Sequence, residues 1–398
     1  MMAMRRVILS IGILSVFVAL SFASWAAADR RMLPTVRTLV PCFLKTNVAE
    51  RTLCYEDHVP TLLAQYDVED IFSAIRIGQA YDPAIADCHF LAHRLGEAVI
   101  ASDPTRWAEF IAMEGSETLC SYGYVHGVSI GAFKNDPMSW EEIETLLPSF
   151  KEACAQDAFR GVRKSNCFHA LGHMFYFITG ADVMAALQIC DRVHAIGSPE
   201  APRCYAGVTM NLFMPLSDEG EVDARHLTVE TAPIFCATLK EDRYVGACKR
   251  ASWILQVDSF SLGHGIDSFC HDQPNAEEVE LCFHKVFHGL AWKLVNDSEQ
   301  MQRVCDAMHT QRQKKCYTEA ALQFLITKGG SRAVADAAAF CRSASNTIAA
   351  TGCLDELARW GAYLYDNKPT ERAVYCAAFD HEREKRCLKN NHTATVSS

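Results

Sequence analysis

Apolar and polar residues follow one another along most of the chain with the spacing of amphipathic helices. Between residues 331 and 366, an alanine-rich run is followed by a short polar turn and then by apolar residues at Leu354, Leu357, Trp360 and Leu364. Steps of three and four residues place such side chains on one face of a helix. The two-residue alternation that indicates strands is nearly absent. The pattern therefore predicts an all-α protein built from helix–turn–helix hairpins.

The cysteines indicate how often the hairpin is repeated. Of the 18 cysteines, ten recur every 32 to 47 residues: Cys54, Cys88, Cys120, Cys167, Cys204, Cys248, Cys282, Cys316, Cys353 and Cys387. A second cysteine precedes eight of them by 11 to 14 residues: Cys42, Cys154, Cys190, Cys236, Cys270, Cys305, Cys341 and Cys376. A unit of about 34 residues is typical of stacked helical hairpins, because one hairpin cannot bury its apolar face alone. The spacing predicts an α-solenoid of about ten helical hairpins over residues 29–390.

The paired cysteines are expected to form a disulfide bond within each hairpin. An even number of cysteines at regular spacing indicates a disulfide framework in an oxidising compartment. On the loop-entropy model, each bond stabilises its hairpin by roughly 3 kcal/mol. Cys88 and Cys120 have no partner in their own hairpins, so we expect them to bond to each other across neighbouring units. Free or metal-bound thiolates are the alternative for these two residues.

The first 28 residues have the composition of a secretory signal peptide. Arg5 and Arg6 precede an apolar run at residues 7–22, and small residues follow at positions 26–28. An uncleaved anchor helix is the alternative, because the run is only slightly shorter than the ~20 residues that span a bilayer. Only that alternative would attach the protein to a membrane. We therefore expect a secreted or periplasmic protein, and a polar tail at residues 391–398.

The charge balance and the motif content exclude several common functions. The net charge is −10 at pH 7, from 38 basic and 48 acidic residues. This acidic excess argues against nucleic-acid binding, which favours basic patches. The sequence contains no Walker loop, dinucleotide fingerprint, kinase motif or zinc-protease motif. Substrate and reaction are left open.

Histidines separated by four residues are the main functional signal, since this spacing places both rings on one face of a helix. The pairs are His89 and His93, His169 and His173, and His284 and His288, while His126 follows Cys120 at a related position. The 15 histidines of the chain would form fewer than one such pair by chance. Two imidazoles at this spacing form half of a typical transition-metal site. We predict that these seven histidines bind zinc, copper or iron, centred on the histidine-rich units at about residues 66–179.

Two features of the spacing leave the membership of this site open. His89 and His93 lie one position closer to their cysteine than the other pairs do, which is a rotation of about 100° on an ideal helix. His284 and His288 lie three units further along, so they join the same site only if the array is tightly coiled. In the alternative interpretation, the repeated histidines and glycines are core residues inherited from duplication of the hairpin.

In hairpin length and cysteine placement the chain resembles disulfide-linked relatives of tetratricopeptide and Sel1-like repeat proteins. The resemblance implies a helical-repeat architecture and nothing about function, because Leu-Gly-x-x-Tyr is missing and Gly-x-Gly occurs only at residues 263–265. The leading hypothesis is a secreted or periplasmic metal-binding repeat protein, with a metalloenzyme as one form of it. The rival hypothesis is a metal-free scaffold that binds an envelope protein or a peptide on a concave face. Whether the protein is an enzyme is left open.

Overall fold

The structure is a computed structural model that describes residues 34–79, 81–85, 88–113, 120, 123–133, 137–156, 162–194, 198, 200–213, 227–328, 330–365 and 369–389. Within these ranges all regular secondary structure is helical, which confirms the predicted all-α class. None of the helices in them combines the length and the apolarity needed to cross a bilayer. The expected signal peptide at residues 1–28 and the polar tail at residues 391–398 lie outside the described residues.

The chain divides into two compact units, residues 1–86 and residues 87–398. The first unit contains α1 (Val40–Phe43), α2 (Val48–His58) and α3 (Val68–Gln79), with 3-10 turns at Val59–Ala64 and Pro83–Ile85. A disulfide joins Cys42 of α1 to Cys54 of α2. Buried Asp82 pairs with Arg51 at 3.1 Å and accepts a hydrogen bond from the Tyr55 hydroxyl at 2.9 Å. These contacts hold α2 against the 3-10 turn that follows α3.

The second unit is a succession of helices joined by short connections. Its helices are α4 (His89–Ile100), α5 (Trp107–Ala112), α6 (Gly123–Phe133), α7 (Trp140–Ala153), α8 (Val162–Ile178), α9 (Val183–Val193), α10 (Ala201–Met210), α11 (Ala232–Ala237), α12 (Asp242–Ala251), α13 (Val257–Ser261), α14 (Ile266–His271), α15 (Ala276–Lys293), α16 (Ser298–Ala307), α17 (Thr310–Lys328), α18 (Gly330–Arg342), α19 (Thr347–Leu364), α20 (Pro369–Cys376) and α21 (His381–Lys389). A 3-10 turn at Pro104–Arg106 precedes α5, and another at Ser252–Gln256 follows α12.

Short polar side chains determine where several of these helices begin. Asp182, Asn275 and Asp297 each accept a hydrogen bond from a backbone N–H in the first turn of α9, α15 and α16. Ser139 and Glu142 form a complete capping box at the start of α7. A cap of this kind contributes about 1 kcal/mol, because the first N–H groups of a helix have no partner within it. The polar turns between hairpins therefore act as helix starts.

All 18 cysteines are in disulfide bonds. Eight bonds close hairpins as expected: Cys42–Cys54, Cys154–Cys167, Cys190–Cys204, Cys236–Cys248, Cys270–Cys282, Cys305–Cys316, Cys341–Cys353 and Cys376–Cys387. The ninth joins Cys88 to Cys120 across neighbouring units, with 4.7 Å between their Cα atoms. This confirms the predicted bridge, and it excludes thiolate ligands.

The second helices of successive hairpins pack side by side in the second unit. Each member of this row contacts the next, in the order α4, α6, α8, α10, α12, α15, α17, α19 and α21. Glycine permits the closest of these contacts: a Cβ at Gly127 would lie 2.0 Å from the His93 backbone oxygen, and one at Gly207 would lie 2.0 Å from that of His169. Backbone contact at these points brings the histidine-bearing helices together. A repeated hairpin array is what the sequence predicts, while the likeness to tetratricopeptide and Sel1-like proteins stays a prediction.

Candidate metal centre

Five of the seven predicted ligands lie on three neighbouring helices of the row. His89 and His93 are on α4, His126 is on α6, and His169 and His173 are on α8. Because α6 packs against both α4 and α8, the ring of His126 lies between the two pairs. Its centroid is 5.2 Å from those of the α4 rings, and 5.2 and 5.0 Å from those of the α8 rings. The row thus gathers five imidazoles.

The rotation inferred for the α4 pair does not turn its rings away from the others. Cys88 is the residue before the first turn of α4 and bonds to Cys120 of the next unit. Cys167, by contrast, lies inside α8 and bonds within its own hairpin. The two cysteines thus occupy different places relative to their helices. The number of residues between cysteine and histidine therefore does not show whether the two histidine pairs lie on equivalent helix faces.

The five rings form two groups of three that share His126. His89, His93 and His126 make one group, and His126, His169 and His173 make the other. In each group the potential ligand atoms all lie within 4.8 Å of one another. We call them the first and the second triad. Either triad could hold a metal ion.

The second triad contains two nitrogens that face each other without a proton between them. His169 Nδ1 donates to the Arg203 carbonyl oxygen at 3.2 Å, and His173 Nδ1 donates to Asn211 Oδ1 at 3.0 Å. The Asn211 amide is held in this orientation because its Nδ2 donates to the Gly207 carbonyl oxygen. A neutral imidazole carries one proton, so both Nε2 atoms keep a lone pair, yet they lie only 3.2 Å apart. Two acceptors at this distance repel each other unless a cation lies between them.

This separation suits metal ligation. Nitrogen ligands on tetrahedral zinc lie about 2.0 to 2.1 Å from the metal, which places them about 3.3 Å apart. Ligating histidines usually donate their other ring N–H to a carbonyl or a carboxylate, which fixes the tautomer. His169 and His173 have both features.

The first triad repeats much of this arrangement. His89 Nδ1 donates to the Cys120 carbonyl oxygen at 3.2 Å, and its Nε2 lies 3.2 Å from that of His93. His93 Nδ1 and both ring nitrogens of His126 are buried and have no hydrogen-bond partner among the described residues. A buried polar atom without a partner costs about 1 to 3 kcal/mol. Three such nitrogens in one cluster are better explained as ligand atoms than as core packing.

Burial keeps four rings of the cluster neutral at physiological pH: His93, His126, His169 and His173. Loss of hydration lowers the pKa of His93, His126 and His169 well below the usual value, and the neighbouring rings lower the first two further. Burial lowers the pKa of His173 to about 4, although its hydrogen bond to Asn211 acts in the opposite direction. Neutral imidazole is the form that binds a metal. The cluster therefore needs little proton release to accept one.

His284 and His288 are not part of either triad. Both lie on α15, where His284 Nδ1 contacts the Glu319 carboxylate at 2.8 Å and its Nε2 accepts from Arg203 at 3.1 Å. The array does coil far enough to bring α15 towards α4, since the centroids of Trp292 and His89 are 6.1 Å apart. The two α15 histidines nevertheless complete no group of three possible metal ligands among the described residues.

Four residues near the cluster were not singled out in the sequence. Arg203 and Asn211 fix ring tautomers, while Lys285 and Trp292 face the cluster from α15. Lys285 and Trp292 share a helical face with His284 and His288, so reading that face in full would have found them. Arg203 and Asn211 carry no spacing signal, because only tertiary packing brings them to the rings.

Comparison with known proteins adds no relative. No family model, curated protein or solved structure matches the chain. Function therefore rests on the chemistry of the site.

Proposed function

We propose that this protein binds two transition-metal ions, one in each triad, with His126 as the shared ligand. The observation that carries the proposal is the pair of facing Nε2 atoms on His169 and His173, both fixed as acceptors by their Nδ1 hydrogen bonds. Both ring nitrogens of His126 are buried without a hydrogen-bond partner among the described residues, which supports a bridging role. In that role each nitrogen would bind one metal, after the ring has lost its N–H proton to solvent. Loss of His126 would therefore remove a ligand from both triads.

Zinc, copper and iron all suit this centre. Imidazole ligation fits zinc, copper and iron, and every cysteine is in a disulfide bond, so no thiolate contributes. Each metal would have three imidazole ligands from the protein. Catalytic zinc sites commonly have three protein ligands and an open position, whereas structural sites are closed by four. This ligand count supports a metalloenzyme, in which the bound metal would polarise a substrate or activate water.

An oxidising compartment is the proposed location. Nine disulfide bonds include every cysteine of the chain, and such a framework persists outside the reducing cytosol. Together with the signal-like sequence at residues 1–28, this supports secretion or export to a periplasm.

Metal analysis of tag-free protein with all disulfides formed tests the proposal. After incubation with zinc or with copper and extensive dialysis, elemental analysis should find two metal ions per chain. His126→Ala should lower this number to one or none, because both triads lose a ligand. The exposed His309 lies outside the cluster, so His309→Ala should keep two. Wild-type protein that retains no stoichiometric metal would refute the proposal and favour the metal-free scaffold.

A further inference from the structure

One face of α15 lies beside the histidine cluster. Four residues share this face: His284, Lys285, His288 and Trp292. His288 and Trp292 follow His284 in steps of four residues, and Lys285 lies three residues before His288. The Trp292 ring lies near that of His89, and the charge of Lys285 lowers the pKa of both His169 and His173. Lys285 Nζ also contacts Met210 Sδ at 3.3 Å, directly before Asn211 in the chain. The α15 face therefore borders the second triad.

Two of the three cations on this side of the cluster are balanced by carboxylates. Arg203 donates to His284 Nε2, and His284 Nδ1 in turn donates to Glu319. This chain of hydrogen bonds pairs one positive charge with one negative charge. Arg250 forms a buried ion pair with Glu278. Both arginines thus have a counter-charge.

Lys285 is the exception. No carboxylate of the described residues pairs with its ammonium group, and a thioether sulfur such as Met210 Sδ is only a weak acceptor. Burial, followed by the charges of Arg203 and Arg250, lowers the pKa of Lys285 to about 8. The group still carries its charge at neutral pH. A partly buried charge without a partner costs free energy, so the site lacks one negative charge.

His288 supplies a second donor on the same face of α15. It lies about one turn further along α15, and burial lowers its pKa well below the usual value. The ring is therefore neutral and has one N–H group. No described residue forms a hydrogen bond with its ring nitrogens. Lys285 and His288 together offer two donors on one helical face.

We propose that Lys285 and His288 bind one carboxylate group of a small ligand beside the second triad. Two donors one helical turn apart match the two oxygens of a carboxylate, and a single unbalanced positive charge calls for a single negative one. The binding of the carboxylate to Lys285 does not depend on the proposed metal binding. Only a role of the bound carboxylate as a substrate of the metal centre rests on the proposed function. The ligand class is a small carboxylic acid in its ionised form.

Equilibrium dialysis of chelator-treated protein with radiolabelled acetate tests this site. Wild-type protein should bind one acetate per chain in chloride-free buffer. Lys285→Met should weaken binding at least about tenfold, because it removes both the ammonium donor and its charge. Lys285→Arg keeps the charge and should retain most of the affinity. Lys293→Met, which removes an exposed lysine of the same helix that pairs with Asp258, should leave binding unchanged.

Several results would overturn the inference. Wild-type protein that binds no acetate, or equal binding by Lys285→Met and wild type, would show that Lys285 holds no carboxylate. Displacement of acetate by phosphate at a lower concentration would show that the site prefers a dianion. The His126→Ala variant separates this inference from the metal centre, because it should lose metal and still bind acetate.

Discussion

Replacement of Gly127 by alanine tests whether backbone packing of α4 on α6 holds the first triad together. A Cβ at this position would lie 2.0 Å from the His93 carbonyl oxygen and 2.7 Å from its carbonyl carbon. Contacts below 3.0 Å between a Cβ and backbone atoms essentially do not occur in proteins. Because both partners are backbone atoms, no side-chain rotation relieves the overlap. The two helices have to separate by about 1 Å.

The expected effect is a balance of two contributions to the free energy of unfolding. Forcing an extra methyl group into a packed core costs about 1 to 3 kcal/mol. Replacing glycine by alanine inside a helix gains up to about 1 kcal/mol. We therefore expect Gly127→Ala to be destabilising by about 1 to 2 kcal/mol and to melt several degrees lower. Separation of the helices also moves His93 away from His126, and metal bonds tolerate only about 0.2 Å of error.

Elemental analysis and thermal unfolding check this prediction together. Gly127→Ala should retain one metal ion per chain instead of two. Gly207→Ala, which overlaps the His169 carbonyl oxygen at 2.0 Å, should instead weaken metal binding in the second triad. A Cβ at Gly78 of the first unit would meet only side-chain methyl groups, the nearest at 3.3 Å, so Gly78→Ala should keep both metals. A Gly127→Ala protein with two metals and wild-type stability would refute the reasoning.

Three further predictions follow from the site. Asn211→Leu should weaken metal binding in the second triad by about 10- to 100-fold in a competition titration, because His173 loses the acceptor that fixes its tautomer. The free energy of unfolding of the metal-free protein should fall by about 2 kcal/mol between pH 7 and 5 through His173 alone, as measured in denaturant titrations. The pKa of His173 is about 4 in the folded protein and about 6.5 in the unfolded chain, so the unfolded state gains the proton first. Replacing both Cys88 and Cys120 by serine should cost about 2 to 5 kcal/mol in unfolding experiments and release the metal of the first triad, because the Cys120 carbonyl orients His89.

Matched variants separate these effects from general destabilisation. Asn275→Ala removes a helix cap on α15 and should lower stability without changing metal affinity. Serine at both Cys376 and Cys387 removes a disulfide between α20 and α21 and should leave both metals bound. For the pH experiment, stability that stays level between pH 7 and 5 would contradict the buried, neutral state of His173.

The hairpin array could be predicted from the sequence because its cysteines recur with the hairpins themselves. Each second cysteine lies on the later helix of a pair, so the spacing of cysteines follows the spacing of helices. The bond between Cys88 and Cys120 could also be predicted, since only these two residues lack a partner in their own units. The course of the row was not predictable. Its coiling, which brings Trp292 near His89, depends on contacts between helices far apart in sequence.

The candidate site was predictable only in part. Four-residue spacing identifies pairs on one helical face, and four of the six histidines selected in this way lie together with His126. His284 has the same spacing but contacts Glu319 and Arg203 instead. Helical spacing defines the face on which a ring lies, but the neighbour of that face depends on tertiary packing. The same limit applies to Lys285, whose lack of a carboxylate partner among the described residues is visible only in three dimensions.

Both triads include His126, and α10, the other neighbour of α8 in the row, contains no histidine. A Cβ at Gly123 would lie 2.1 Å from the His89 carbonyl oxygen, just as one at Gly207 would lie 2.0 Å from that of His169. This contact of α6 with α4 therefore resembles that of α10 with α8, and Gly127 makes the same kind of contact with His93 one turn further along α6. His126 lies three residues after Gly123 in α6, and Met210 lies three residues after Gly207 in α10.

In the proposed centre, the sharing of His126 follows from the lack of a histidine in α10. With methionine at position 210, the α8 pair has no third imidazole from α10, and it takes one from α6 because α6 packs on the other side of α8. Met210 instead places its sulfur against Lys285. Because a thioether does not neutralise an ammonium group, the contact with Met210 leaves the charge of Lys285 without a counter-charge from this side chain. The proposed carboxylate site therefore lies beside Met210, directly before the Asn211 that bonds to His173 of the second triad.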